Sequence, residues 1–190
     1  MAKTGERKAQ ILQTLAAMLE EPKAERITTA LLAARLEVSE AALYRHFSSK
    51  AQMFEGLIEF IEQTVFSLVN RIQADEQEGL KQIEATVATL LGFAQKNPGM
   101  TRVLIGDALV NEDERLQARV NQLLDRLEAS LRQSARLAVS AGAMPADWDV
   151  NAYANAVIAF VVGRWHQFAK SGFKRAPMDG WAQQWRVFSA

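Results

Sequence analysis

Cysteine is absent from the 190-residue sequence, and histidine occurs only twice, at positions 46 and 166. Without thiols there is no disulfide framework, no thiolate nucleophile and no cysteine-based metal site. Two isolated histidines, with no His-Glu metal spacing and no glycine-rich phosphate loop, leave nothing from which to assemble a catalytic centre. The expectation is therefore no enzyme, no cofactor and no metal. Proline is scarce, at 4 residues, and strand formers never alternate with polar residues over a useful length. Long apolar runs are missing too. The longest, 156–163, is closed by Arg164 and falls short of the ~18 residues that a spanning helix needs. The segment Met1–Gln10 is polar and charged, unlike a secretory signal. These absences point to an all-α, soluble, cytoplasmic protein with no membrane partner.

Charge of one sign is also lacking. The 22 Lys and Arg cancel the 22 Asp and Glu, so the whole chain carries no basic signature for nucleic acid. The first fifty residues hold eight cations against six acids, and 41–50 hold two cations and a histidine with no acid. That local surplus permits DNA binding without by itself indicating it.

Apolar spacing lays out about nine helices. Ile11, Leu12, Leu15, Met18 and Leu19 mark the first, over 5–19, with a break at Pro22. Thr28 or Thr29 offers a hydroxyl to cap a second over 29–36, and Ser39 with Glu40 starts a third reaching His46. A fourth, 50–74, is apolar around most of its circumference and must touch neighbours on several sides. A fifth, 80–95, stops at Lys96-Asn97-Pro98-Gly99, and a shorter one follows over 101–110. Leu116, Val120, Leu123 and Leu127 then step as in a coiled coil. Ser130 and Ser134 occupy the next seam positions, which favours simple bundle packing. Helices over 149–170 and after Gly180 complete the chain.

The informative stretch is Thr29 to Phe47. Two short helices that cross steeply need a small residue where their backbones meet, and Ala33 and Ala34 are available. They need a compact apolar wedge, here Leu32, Leu36, Val38 and Leu43 closed by Phe47, and a turn of three to four residues, here 37–39. Such a unit presents its second helix as a ridge for the major groove of B-form DNA. Glu37 stands where this turn usually has glycine, so it must accept a positive φ or a modified turn, at a cost of about 1 kcal/mol at most.

The run "ITTALLAARLEVSEAALYRHFSSKAQMFEGLI", with Tyr44, Phe47 and Lys50, resembles the signature of TetR-type regulators. The segments "MFEGLIEFIE", "LLGFAQKNPGMTRVLIGDAL" and "ERLQARVNQLLDRLEASLRQ" resemble, more narrowly, a TetR-fold branch of bacterial nucleoid occlusion factors. The resemblance implies a helix-turn-helix DNA-binding domain over 1–49 and a helical regulatory and dimerisation domain over 50–190. It implies a homodimer on palindromic double-stranded DNA, with dimers adjacent on DNA where sites allow, and Thr28, Thr29, Ser39, Ala41, Ala42, Tyr44, Arg45 and His46 facing the duplex. Lys50 would meet phosphate, and Lys3, Arg7 and Lys8 would add contacts. Each has a local alternative: capping for the threonines, packing on the first helix for Tyr44, solvated charge for Arg45 and Lys50, a local hydrogen bond for His46. The same branch implies a second partner, the tubulin-like division GTPase FtsZ, at Phe60, Gly92 and Asn97. Core packing, helix packing and a helix end are the respective alternatives. The branch has arginine where this chain has Leu68 and Lys96, and lysine lacks the forked donor. It also places the dimer interface on the last two helices, where Tyr153, Phe160, Trp165, Phe168, Trp181 and Trp185 form an aromatic-rich set. A ligand-responsive TetR-type repressor is the alternative function, and a helical adaptor without DNA binding a further one.

Overall fold

The computed structural model describes residues 4–21 and 27–189, which form nine α-helices, one short 3-10 turn and no strand. The helices are α1 (Thr4–Leu19), α2 (Thr29–Arg35), α3 (Glu40–Tyr44), α4 (Lys50–Asp75), α5 (Gly79–Lys96), α6 (Pro98–Leu104), α7 (Glu114–Ser140), α8 (Val150–Lys170) and α9 (Trp181–Phe188). The expected break at Pro22 and the cation Lys3 lie outside the described residues. Boundaries differ from the sequence reading at the end of α3, which stops at Tyr44 rather than reaching His46, and at both ends of α6. Helix α6 starts at Pro98 rather than at 101, because proline lacks an N–H that the first helical position would leave unpaired. It also ends early. Gly106 adopts φ 78°, and the expected run to Val110 becomes the turn Asp107–Leu109.

The chain divides into two compact units, residues 1–61 with 97–120 and residues 62–96 with 121–190. In the first, α1 packs on α2 and α6 and buries Ile11, Leu15 and Leu19. The approach of α6 is so close that a Cβ on Gly99 would collide with the carbonyl of Ala16. Arg102 reinforces it, donating to the Leu19 carbonyl at 3.2 Å and to Asp107 at 2.8 Å.

In the second unit, α5 packs on α8, and Trp165 donates its indole N–H to the Leu90 carbonyl at 3.2 Å. Buried Gln82 is satisfied on both sides. It donates to the carbonyls of Gln73 and Glu76 and accepts from the Ser134 hydroxyl at 2.7 Å. That bond explains why a serine sits at a buried position of α7. The seam residues Leu116, Val120, Leu123 and Leu127 are all buried. Asp149 caps α8 by accepting from the N–H groups of Ala152 and Asn151, which hold its carboxyl below the usual range.

The aromatic set expected at a dimer interface is used largely inside the protomer. Trp165, Phe168 and Trp181 are buried, and Phe160 lies 5.9 Å from Trp181 and 5.1 Å from Phe188, ring to ring. Tyr153 joins α8 to the end of α9, donating to the Phe188 carbonyl at 2.9 Å. Burial raises its phenol from the usual 10 to about 12.

Two outcomes follow from this packing. Gly99→Ala should lower unfolding stability by about 1–3 kcal/mol in urea titration, the cost of forcing backbones apart. Because the folded phenol titrates above the unfolded one, the stability that neutral Tyr153 contributes is complete below pH 10 and fades as pH rises towards 12. The stability gap between the wild type and Tyr153→Phe should therefore narrow over that window in denaturation runs at stepped pH.

Candidate nucleic-acid interface

The helix-turn-helix is built from local rules. Thr28 has extended backbone and its hydroxyl accepts from the Leu31 N–H at 3.2 Å, so Thr28, not Thr29, caps α2. At the other end of α2, Glu37 takes φ 55°. Its N–H bonds to the Ala34 carbonyl at 3.1 Å, and the Val38 N–H reaches the Ala33 carbonyl at 3.0 Å. This paired closure with a left-handed residue is the Schellman arrangement. It reverses the chain within three residues, and Ser39 at once caps α3 by accepting from the Ala42 N–H at 3.3 Å.

The wedge beneath is closely buried. Leu32, Ala33, Leu43 and Phe47 are buried, with Leu36 and Val38 half-buried. Ala33 alone is the close-approach residue, since Ala34 is exposed. Burying Leu43 turns the opposite face of α3 outward: Glu40, Ala41, Tyr44 and Arg45 are exposed, and Ala42 is half-buried. Tyr44 is 45% exposed, so packing against α1 is not its use. Its hydroxyl donates to the Thr29 hydroxyl at 3.4 Å, and Thr29 donates to Glu40 at 2.6 Å. Thr28, Thr29, Ser39, Ala41, Ala42, Tyr44 and Arg45 thus lie on or beside one ridge. His46 is half-buried at its end, with Nδ1 enclosed and unpaired among the described residues. Arg7 donates to Gln10, and the Lys8 ammonium lies 5.4 Å from the Phe47 ring centroid.

Lys50 stands apart from that cluster. Its ammonium pairs with Glu112 at 2.5 Å, the two side chains being 22% and 10% exposed, and it lies 5.6 Å from the Phe54 ring centroid. Two acids, Glu40 and Glu112, are therefore tied to expected DNA-facing residues that sequence reasoning left without partners. Glu40 had a readable signal, as the acid opening the recognition helix. Glu112 had none, because it is remote from Lys50 along the chain.

The residues matched to the FtsZ surface lie on three elements. Phe60 on α4 is 48% exposed and so is not core. Gly92 on α5 is half-buried, but a Cβ there would meet nothing within 4 Å, so close helix packing does not require a glycine. Asn97 is the N-cap residue of α6, and its carbonyl accepts from the Thr101 N–H at 2.9 Å. Leu68 and Lys96 are both exposed. Among the described residues there is no cluster of side chains able to hold a metal ion, and no helix long and apolar enough to cross a membrane.

Comparison with known proteins decides the family. Residues 11–57 match the bacterial regulatory proteins of the tetR family, and residues 77–190 match the SlmA-like tetracyclin repressor-like C-terminal domain. The nucleoid occlusion factor SlmA of Marinomonas sp. (strain MWYL1) is 50% identical over 188 residues, covering 98% of this chain and 95% of that protein. The SlmA of Alteromonas mediterranea is 49% identical, covering 96% and 93%. The chain belongs to the SlmA family of nucleoid occlusion factors. Membership places it among DNA-binding regulators of the TetR type that form dimers, and not among enzymes. Solved structures agree on the fold alone. A TetR transcription regulator from Haloarcula marismortui has a TM-score of 0.81 at 13% identity, covering 97% of each chain. FadR from Bacillus subtilis, solved with stearoyl-CoA, has 0.78 at 11%, covering 96% of this chain and 97% of that one.

The contrast between ion pairs is testable. Lys50→Ala or Glu112→Ala should each cost about 1–3 kcal/mol in chemical denaturation, since the remaining partner is left enclosed without its counter-charge. Arg35→Ala, which breaks a pair with Glu21 whose members are both more than half exposed, should cost less than about 1 kcal/mol.

Proposed function

We propose that this SlmA family member acts in the cytoplasm at the nucleoid, as a dimer that docks its α3 ridges in successive major grooves of a palindrome and, on DNA, engages FtsZ to block division-ring assembly over unsegregated chromosome. The observation that carries this reading is identity near one half to nucleoid occlusion factors across almost the whole chain. The ridge supports it chemically. Arg45 and the hydroxyls of Thr28 and Ser39 donate to phosphate oxygens, while Ala41 and Ala42 let the helix approach base edges and thymine methyls. Residues 1–49 are the DNA-reading part and 50–190 the regulatory and dimerising part. On α8, the exposed or half-exposed Ala152, Ala156, Ala159, Gly163 and His166 step by four and three, a face smooth enough for close helix pairing between protomers.

DNA favours FtsZ engagement in this mechanism, so linkage requires FtsZ to raise DNA affinity by the same factor. Lys50 reaches phosphate only by exchanging Glu112 for it, which makes its contribution smaller than that of Arg45.

Titrating FtsZ against the purified chain with and without bound DNA should show reciprocal enhancement. Phe60→Ala should abolish the enhancement while leaving DNA affinity within about twofold. Arg45→Ala should weaken all duplexes alike and lower the salt slope by about one. Mapping bound sites in cells should find them scattered over the chromosome and absent around the terminus. A lone site beside its own gene, with release by a small molecule and no FtsZ effect, would instead establish the ligand-responsive repressor.

A further inference from the structure

One side chain on the recognition ridge has the wrong charge for a phosphate-binding surface. Within residues 39–50, Glu40 is the sole acid, set in the first turn of α3 on the exposed face beside Ala41 and Tyr44. Its carboxylate is also anchored. The Thr29 hydroxyl donates to its Oε2 at 2.6 Å, and the Tyr44 hydroxyl donates in turn to Thr29 at 3.4 Å. The chain of bonds fixes the direction of the carboxylate and leaves Oε1 to accept from something else.

The chemistry of a duplex restricts what that is. Phosphate oxygens are acceptors and anionic, so they repel a carboxylate wherever the helix sits out of register. In the major groove the only base donors are the exocyclic amines of cytosine N4 and adenine N6. Beside N6, adenine presents the N7 acceptor, which would face the second carboxylate oxygen. Cytosine N4 presents no acceptor of its own there, and it is the base edge a carboxylate suits.

Resting on the DNA-binding reading above, we infer that Glu40 is a specificity-determining residue that reads one cytosine in each half-site, its carboxylate accepting from the N4 amine while Thr29 and Tyr44 hold its orientation. The same charge lowers affinity for every duplex that lacks this amine at the right place. Discrimination thus comes from attraction to the cognate site and repulsion from the rest.

The test is selection from random duplexes with the full-length wild type, Glu40→Ala and Glu40→Gln, followed by titration of the selected sites. The wild-type motif should hold a C·G pair at symmetric positions of the two half-sites. Glu40→Ala should flatten that column alone, and Glu40→Gln should shift it towards adenine, which glutamine reads through N6 and N7. Replacing the C·G pair should cost the wild type about tenfold in affinity and Glu40→Ala less than about twofold. Glu40→Ala should also bind random duplex more tightly than the wild type. A motif that survives unchanged in Glu40→Ala, whether or not affinity falls uniformly, overturns this inference and leaves Glu40 a mere brace for Thr29 and Tyr44. A wild type that enriches no duplex overturns the DNA-binding reading itself.

Discussion

The left-handed turn at Glu37 is the constraint from which the binding surface follows. By closing α2 through paired bonds to Ala33 and Ala34, it reverses the chain sharply enough for Leu32, Leu43 and Phe47 to bury one another. Burial of Leu43 then decides which face of α3 is outward, and Glu40, Ala41, Tyr44 and Arg45 become the ridge. A glycine would adopt this conformation without strain. Here the wedge tolerates a glutamate, because a small backbone cost is outweighed by several buried apolar side chains.

Beneath that ridge, polar groups are used to hold geometry more than to face solvent. Thr28 caps, Ser39 caps, Thr29 bridges Tyr44 to Glu40, and Lys50 is drawn onto Glu112. Several residues of DNA-binding chemistry are therefore already committed within the protomer. Any phosphate contact by Thr29 or Lys50 would exchange one of these partners for another.

The aromatic residues near the carboxy terminus tell a related story. Their sequence pattern suited an interface between protomers, yet Trp165, Phe168 and Trp181 fill the interior of one unit. Large rings bury wherever the nearest apolar surface lies, and α5 together with α9 provides it. Among what is left outward on α8 are the small residues Ala152, Ala156 and Ala159, and small residues permit close pairing of helices.

Helix content, the two-helix head, the Ser39 cap and the choice of Thr28 or Thr29 for the other cap were legible in the primary structure, as was the need at Glu37 for a positive φ or a modified turn, because each rests on periodicity or on neighbours within a few residues. The start of α6 was misjudged because proline was read as a terminator when it also serves as a first helical residue, and its end because Gly106 turns left-handed. Partners distant along the chain were invisible. Nothing near Lys50 announced Glu112, and nothing near Ser134 announced Gln82; Glu40 was readable as the acid opening α3, but not as the partner of Thr29. Spacing along a chain reports which face of a helix is apolar. Only folding decides which other face it meets, since that depends on the simultaneous packing of all the helices in a unit.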